Sequence, residues 1–339
     1  MRKPDFSNFL KVLHRDQHAG PVLFEFIICD RILEHFAGND AKNGTDNWSR
    51  LLIALHGYKN AGYDFCAVPQ WLTNTLNFPQ KDIHKERSVS LNEGVLITDW
   101  ESFEKYPWPD PDAGEYDVYE KLGKHLPDGM KLIAFGPSGV LENVVNLVGF
   151  ENLCLMSLLD ESLTTEIFKA VGERLLRYYE ISAGFDSVGA LIGNDDWGFK
   201  TQTMLDIPSM RKFVFPWHKK IVKAIHDKGK PAILHSCGNL VEVFDDLIDD
   251  IKYDAKHSYE DAIVPVEEAY QRWGDRIAVM GGIDIDFLCS RTEPEIIRRA
   301  EKLLEISSDK GGYALGSGNS IPDYIPIENY KAMISVIRK

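Results

Sequence analysis

Residues 230–239 read KPAILHSCGN. Pro231, Ala232, Ile233 and Leu234 form a short unbroken apolar run. His235, Ser236 and Cys237 follow at once, and Gly238 closes the segment. An apolar run this short, without alternation, marks a strand covered on both faces. Reactive side chains crowded at its carboxyl end stand where α/β folds place their chemistry. Residues two apart on a strand point the same way, so His235 and Cys237 are expected to face one side together.

The same shape recurs outward along the chain. Apolar runs lie at 21–27, 63–68, 131–136, 186–194, 230–237, 251–256, 277–282 and 312–316. Helix signals fill several gaps. Ser162 is expected to cap a helix with Leu163, Ile167, Val171 and Leu175 on its buried face, ending near Gly184. Thr292 and Glu295 form a capping-box pattern ahead of Ile296, Ile297, Ala300, Leu303 and Leu304. A third helix carries Ile221, Ala224 and Ile225 and stops at Gly229, with Pro216 either starting it or kinking a longer one. Eight strand–helix alternations predict a (β/α)8 barrel, read as one domain over 1–339. The first twenty residues read as a helical extension covering the barrel bottom. Residues 86–100 (ERSVSLNEGVLITDW) read as a β-hairpin insertion, with Asn92-Glu93-Gly94 as its turn and 95–100 as its second strand. An open doubly wound sheet is the alternative, but PVLFEFIICDRILEHF lacks the glycine-rich turn that fold places after its first strand.

The chain has 339 residues, and 38 basic against 52 acidic side chains give 38 − 52 = −14. That excess disfavours nucleic-acid binding and broad adhesion to anionic membranes. No apolar run approaches the ~20 residues of a membrane span, and the amino terminus lacks a signal-peptide core. Five scattered cysteines without a CxxC pair fit a reduced, cytoplasmic protein.

The strand ends supply the candidate site. His235 and Cys237 offer half of a tetrahedral zinc site. His257-Ser258-Tyr259-Glu260-Asp261 offers a further imidazole and two carboxylates from the adjacent strand. The plainer readings are a hydrogen-bonded histidine beside a buried thiol, and a solvated loop. Asp195 and Asp196 end the fourth run and are expected to orient substrate or carry a proton, or else to cap the next helix. Trp197, with Trp100 and Trp108, is expected to line an apolar pocket. Glu25 lies in an apolar strand and needs a partner. Gly316-Ser317-Gly318-Asn319 reads as a substrate-facing turn, unlike a nucleotide loop.

ILHSCGN, AVMGGIDIDFL and YALGSGNSIPDYIPIENY together resemble the uroporphyrinogen decarboxylase superfamily, over roughly residues 90–339. That resemblance implies a (β/α)8 barrel and two branches. One is a metal-free decarboxylase, whose central aspartate Asp99 resembles. Its substrate arginines are replaced here by Phe24-Glu25-Phe26-Ile27-Ile28-Cys29-Asp30, leaving only Arg31. The other comprises zinc methyltransferases working with a separate corrinoid protein. Its His-x-Cys pair matches His235 and Cys237, and its following glutamate is best matched by Glu260. Ser317 stands near where coenzyme M methyltransferases carry another cysteine, so the expected zinc is a stronger Lewis acid. The resemblance therefore implies a methyltransferase with His235, Cys237 and Glu260 on zinc. Asp195, Asp196 and His257 would handle substrate or protons. Glu25, Asp99, Trp197, Ser317 and Asn319 would line the site. The expected substrate is a small methylated compound, such as a methoxylated aromatic, and the expected partner a corrinoid protein. A metal-free decarboxylase and a non-catalytic binding barrel are the alternatives.

Overall fold

A computed structural model describes residues 2–40, 44–80 and 90–337. Its strands are β1 (Val22–Leu23), β2 (Phe65–Val68), β3 (Lys131–Phe135), β4 (Val188–Asn194), β5 (Ala232–His235), β6 (Ala255–His257), β7 (Ala278–Met280) and β8 (Tyr313–Leu315). All neighbours are parallel, in the order β1-β8-β7-β6-β5-β4-β3-β2. Helices lie between successive strands, as the parallel connections demand. This is the expected (β/α)8 barrel. One joint departs from a closed ring: β1 and β2 end the order, and among the described residues no ladder joins them.

Several strands are shorter than their apolar runs, and this moves the site. β1 stops at Leu23, so Glu25 and Phe26 lie beyond it. β5 stops at His235, so Cys237 belongs to the following turn. The run at 251–256 yields only its end to β6, because Asp246–Ile251 coils as a π-helix.

The bottom is plugged as expected. The helix Phe6–Leu13 is capped by Asp5, whose carboxylate accepts from Ser7 N and Asn8 N. Phe6 N bonds Gly129 O just ahead of β3, which places this helix at the amino ends of the strands. Phe9 is fully buried, 5.1 Å from the Phe65 ring and 6.4 Å from Phe24. Truncating a core Phe to Ala typically costs about 3–5 kcal/mol, so this contact is a substantial part of what seats the extension.

The long helix Glu161–Ser182 buries Leu163, Ile167, Val171 and Leu175, but Asp160 caps it rather than Ser162. Ser162 already lies inside the first turn, where its side chain no longer faces the free N–H groups. The Thr292–Glu295 capping box forms, Thr292 N donating to Glu295 at 2.9 Å. Pro216 sits in the first turn of Phe215–His226, directly after a π-helical turn at Met210–Val214. The missing N–H of proline is tolerated there.

The second strand of the expected hairpin is not found among the described residues. Its residues 86–89 lie outside the described residues, and 95–97 are irregular, with Leu96 N and Ile97 N both bonded to Leu147 O. Asp99 then caps the helix Trp100–Lys105 through a capping box with Ser102. An Asp-x-x-Ser cap outweighed the β-prone Val95-Leu96-Ile97 run, which packs on a helix instead of pairing.

Candidate metal centre and active site

Register puts three polar side chains on one level. Asn194 of β4 pairs with His235 of β5, and His235 pairs with His257 of β6. In-register residues of parallel strands point to the same face, and the two imidazoles meet, Nδ1 to Nδ1 at 2.8 Å. After His235 the chain turns at Gly238, whose φ of +87° suits glycine. A Cβ there would stand 2.0 Å from Gly198 O, so the turn is also packed shut against the loop after β4. This closure lets Cys237 N donate to Asp196 Oδ1 at 2.8 Å. One ligand atom each from Asp196, His235 and Cys237 lies within 4.8 Å of the others, and Cys237 Sγ is 3.8 Å from His235 Nε2.

Proton counting fixes which nitrogen of His235 is free. His257 Nε2 faces the Ser317 carbonyl at 3.0 Å. A carbonyl only accepts, so His257 Nε2 carries the hydrogen. Burial lowers the His257 pKa to about 3, so its Nδ1 is bare and accepts from His235 Nδ1–H. Burial first, then the neighbouring His257 and Lys256, hold His235 well below the usual histidine range. The remaining lone pair of His235 is therefore on Nε2, the atom beside Cys237 and Asp196. Fixing the ligand tautomer through the other ring nitrogen is the usual second-layer device of metal-binding histidines.

The thiol is also held. Asn319 Nδ2 donates to Cys237 Sγ at 3.2 Å. Burial, then Asp196, pushes the Cys237 thiol up to about 12, and burial raises the Asp196 carboxyl. Without a cation this set prefers its protons. A divalent cation reverses that preference, because it stabilises the thiolate and carboxylate together. One nitrogen, one sulfur and one oxygen leave a fourth tetrahedral position open, as catalytic zinc sites do. The two anionic ligands would neutralise the ion, so the donor set fits zinc.

The family described as uroporphyrinogen decarboxylase (URO-D) matches residues 82–339, about three quarters of the chain. The chain belongs to the uroporphyrinogen decarboxylase family. A curated uroporphyrinogen decarboxylase from Anaeromyxobacter sp. (strain Fw109-5) is 26% identical over 133 residues, which is 39% of this chain. That match spans only 37% of the relative's own length. A solved methyltransferase from Methanosarcina mazei aligns over 98% of this chain and 97% of its own, with TM-score 0.77 and 16% identity. At that identity the likeness speaks for the fold.

Within this family member several expected site residues stand elsewhere. Glu260 lies outside the cluster, on the wall of an open cavity of about 580 Å³ shared with Asn319, Asp284 and Tyr324, and the carboxylate that stands beside His235 and Cys237 is that of Asp196. Asp195 is fully buried. It accepts from Leu141 N, Glu142 N, Trp197 Nε1 and His218 Nε2 at 2.8–3.0 Å. These bonds, three on Oδ2 and one on Oδ1, tie the end of β4 to the helix Val140–Val148 and hold the carboxylate inside the packed interior. Trp197, also fully buried, packs edge-on to His218 instead of lining a pocket. His257 supports His235 rather than facing substrate. Asp99 is an exposed helix cap, Trp100 packs on Phe103, and Trp108 sits under Arg174.

Glu25 finds its partner in Ser317. Ser317 N donates to Glu25 Oε1 at 2.8 Å. The Ser317 hydroxyl touches both Glu25 Oε2 and Asn319 O, yet it has one hydrogen. Asn319 O cannot donate, so the second hydrogen belongs to Glu25. Burial raises that carboxyl to about 8, consistent with a neutral acid. Its task is to hold the turn that puts Asn319 on Cys237. The glycines of this turn approach the chain's own backbone, since a Cβ on Gly316 would lie 1.7 Å from Phe24 O.

Three residues went unnoticed in the sequence. Phe26 stacks flat on His235, centroids 3.7 Å apart. Glu142, pushed up to about 8 by burial and then by Asp195 and Asp196, lies beside the cluster. Lys256 is buried, donates to Ser258 O, and is lowered to about 8 by burial against the attraction of Cys237, Glu260 and Asp196. Glu142 was concealed by its capping position three residues after Gly139. Only Lys256 left a trace, as a charge inside a strand.

Proposed function

We propose that this chain is a zinc-dependent methyltransferase that moves a methyl group between a small methylated substrate, such as a methoxylated aromatic, and a corrinoid carried by a partner protein. The observation that supports the reading is the convergence of His235 Nε2, Cys237 Sγ and Asp196 within 4.8 Å, with the His235 tautomer set by His257 and Ser317. His235, Cys237 and Asp196 would hold the ion. Bound there, zinc would supply Lewis acidity that draws charge from the substrate's ether oxygen. Cleavage of the methyl–oxygen bond, with the methyl passing as a cation equivalent to the partner's reduced corrinoid, would leave a phenolate that needs a proton. Glu142, whose carboxyl is pushed up to about 8 by burial and by Asp195 and Asp196, is the proposed source of that proton. Asn319 orients the sulfur, and Phe26 keeps water from one face of His235.

The second reading is a metal-free carboxy-lyase acting on a tetrapyrrole or a smaller acid, in line with the name of the curated relative. Against a polycarboxylate substrate, Arg31 is committed to the carbonyls of Asp323 and Ile325. Two measurements separate the readings. Full-length protein purified without chelator is assayed for zinc, and methylcobalamin is followed from free cob(I)alamin with methoxylated aromatics and methylamines. The proposal expects about one zinc per chain and loss of both metal and methyl transfer in Cys237→Ser. Activity of Cys237→Ser equal to the parent overturns it.

A further inference from the structure

Lys256 of β6 is a buried cation to which the proposed chemistry gives no task. It is 3% exposed and forms no ion pair among the described residues. One ammonium hydrogen goes to the Ser258 carbonyl, and the Tyr259 ring centre lies 4.3 Å from Nζ. A cavity of about 20 Å³ adjoins it, walled by Lys256, Ser258, Tyr259 and Glu260 together with apolar groups such as Phe244 and Trp273. Ser258 and Tyr259 are as buried as the lysine, and neither hydroxyl has a hydrogen-bond partner among the described residues. Tyr259 and Glu260 also wall the open cavity of about 580 Å³, so the two cavities are neighbours.

We propose that this small cavity is a binding site for a single halide ion such as chloride, held by the Lys256 ammonium and the Ser258 and Tyr259 hydroxyls. Size comes first. A water-sized particle needs ~10–15 Å³ of such space, so about 20 Å³ admits one atom and excludes an oxyanion or a carboxylate. Charge then separates a halide from a water. With one ammonium hydrogen on Ser258 O and another over the Tyr259 ring, a third remains, and the two hydroxyls add one each. An anion accepts all three and cancels the charge. A water has lone pairs for two of them and leaves the charge unbalanced. A buried charge without a partner is costly, and burial draws the Lys256 ammonium down to about 8. Glu260 is not its counter-ion. It makes no ion pair with Lys256, and it is partly exposed on the wall of the open cavity, where solvent screens it. Lys256 is one of the charges that lower the His235 and Cys237 pKa values, so the halide belongs to the electrostatic setting of that cluster. The halide site itself requires neither zinc nor methyl transfer.

The probes are sodium chloride and sodium bromide, added to full-length protein in halide-free buffer, with sodium gluconate at equal ionic strength as the oversized control. The thermal midpoint is expected to rise saturably with either halide and not with gluconate. A crystal soaked in bromide is expected to show an anomalous peak between Lys256, Ser258 and Tyr259. Ser258→Ala is expected to weaken halide binding about tenfold, and Lys256→Met to abolish the halide response. If Lys256→Met does not fold, Ser258→Ala and the bromide peak decide. Glu260→Gln removes the neighbouring carboxylate and is expected to bind halide more tightly than the parent. A midpoint that follows ionic strength alone, or a cavity holding water and no bromide, overturns the inference. So does a Glu260→Gln protein that loses stability without gaining halide affinity, because Glu260 is then the counter-ion. These readouts use neither activity nor zinc content, so their failure leaves the proposed function standing.

Discussion

On the β4–β6 flank, every strand is laddered to its neighbour, the side chains at the top are polar, and His235 and His257 are hydrogen-bonded to each other. Across the ring, β1 and β2 share no ladder and meet through apolar side chains around a cavity. His235 stands where the two flanks touch. One ring edge bonds His257, the other faces Cys237 and Asp196, and its flat face lies on Phe26. The laddered flank fixes atoms to the tolerance a metal site requires. The open seam gives that up and gains volume. A catalyst that must hold an ion rigidly and still admit a bulky ligand benefits from dividing these tasks between flanks.

The largest expected break in this contrast comes from Asp195→Ala. It strands two backbone N–H groups, an indole N–H and His218 in the core, and should cost about 3–5 kcal/mol in urea denaturation. Next, Cys237→Ser should lower zinc affinity by more than the ~100-fold upper range of a supporting residue, measured by competition with a chromogenic chelator. His257→Leu leaves the three ligands in place but frees the His235 tautomer, so a loss of about 10–100-fold is expected in the same assay.

A pH measurement sharpens the contrast on the seam side. Glu25 has a folded pKa of about 8 against 4.5 for the ordinary group. The folded state therefore holds a proton that the unfolded chain has released. That contribution to stability is complete below about 4.5 and disappears as pH rises through about 8. Relative to Glu25→Gln, the parent should lose up to about 1.4 kcal/mol per pH unit across that window. Paired denaturation curves at pH 5 and pH 8 test it, and identical slopes would show that Glu25 is charged in the fold. The smallest effect is expected from Phe26→Leu. The seam should accept it for less than about 1.5 kcal/mol with zinc content unchanged, since Phe26 touches a ligand's face and none of its donor atoms.

Periodicity alone gave the barrel, because a parallel sheet buried on both faces needs short continuous apolar runs wherever it occurs. Local chemistry gave the Thr292 cap and the turn at Gly238 for the same reason: each is decided within a few residues. His235 and Cys237 were also legible, being two apart in one chain. The third member of the cluster was not. Asp196 and Glu260 are both carboxylates just past a strand end, and only the packing of the loop after β4 against Gly238 sets which of them meets the thiol. Asp195 and Asp196 are adjacent in sequence, yet one is sealed into a helix terminus and the other faces the cluster, a division that alternation along the chain could suggest but not assign. The open β1–β2 joint, the tautomer of His235 and the proton on Glu25 belong wholly to the tertiary structure. The tautomer and the proton each depend on groups tens to hundreds of residues apart being brought within a hydrogen bond of one another, the joint on two distant strands that are not, and no local pattern encodes such a distance.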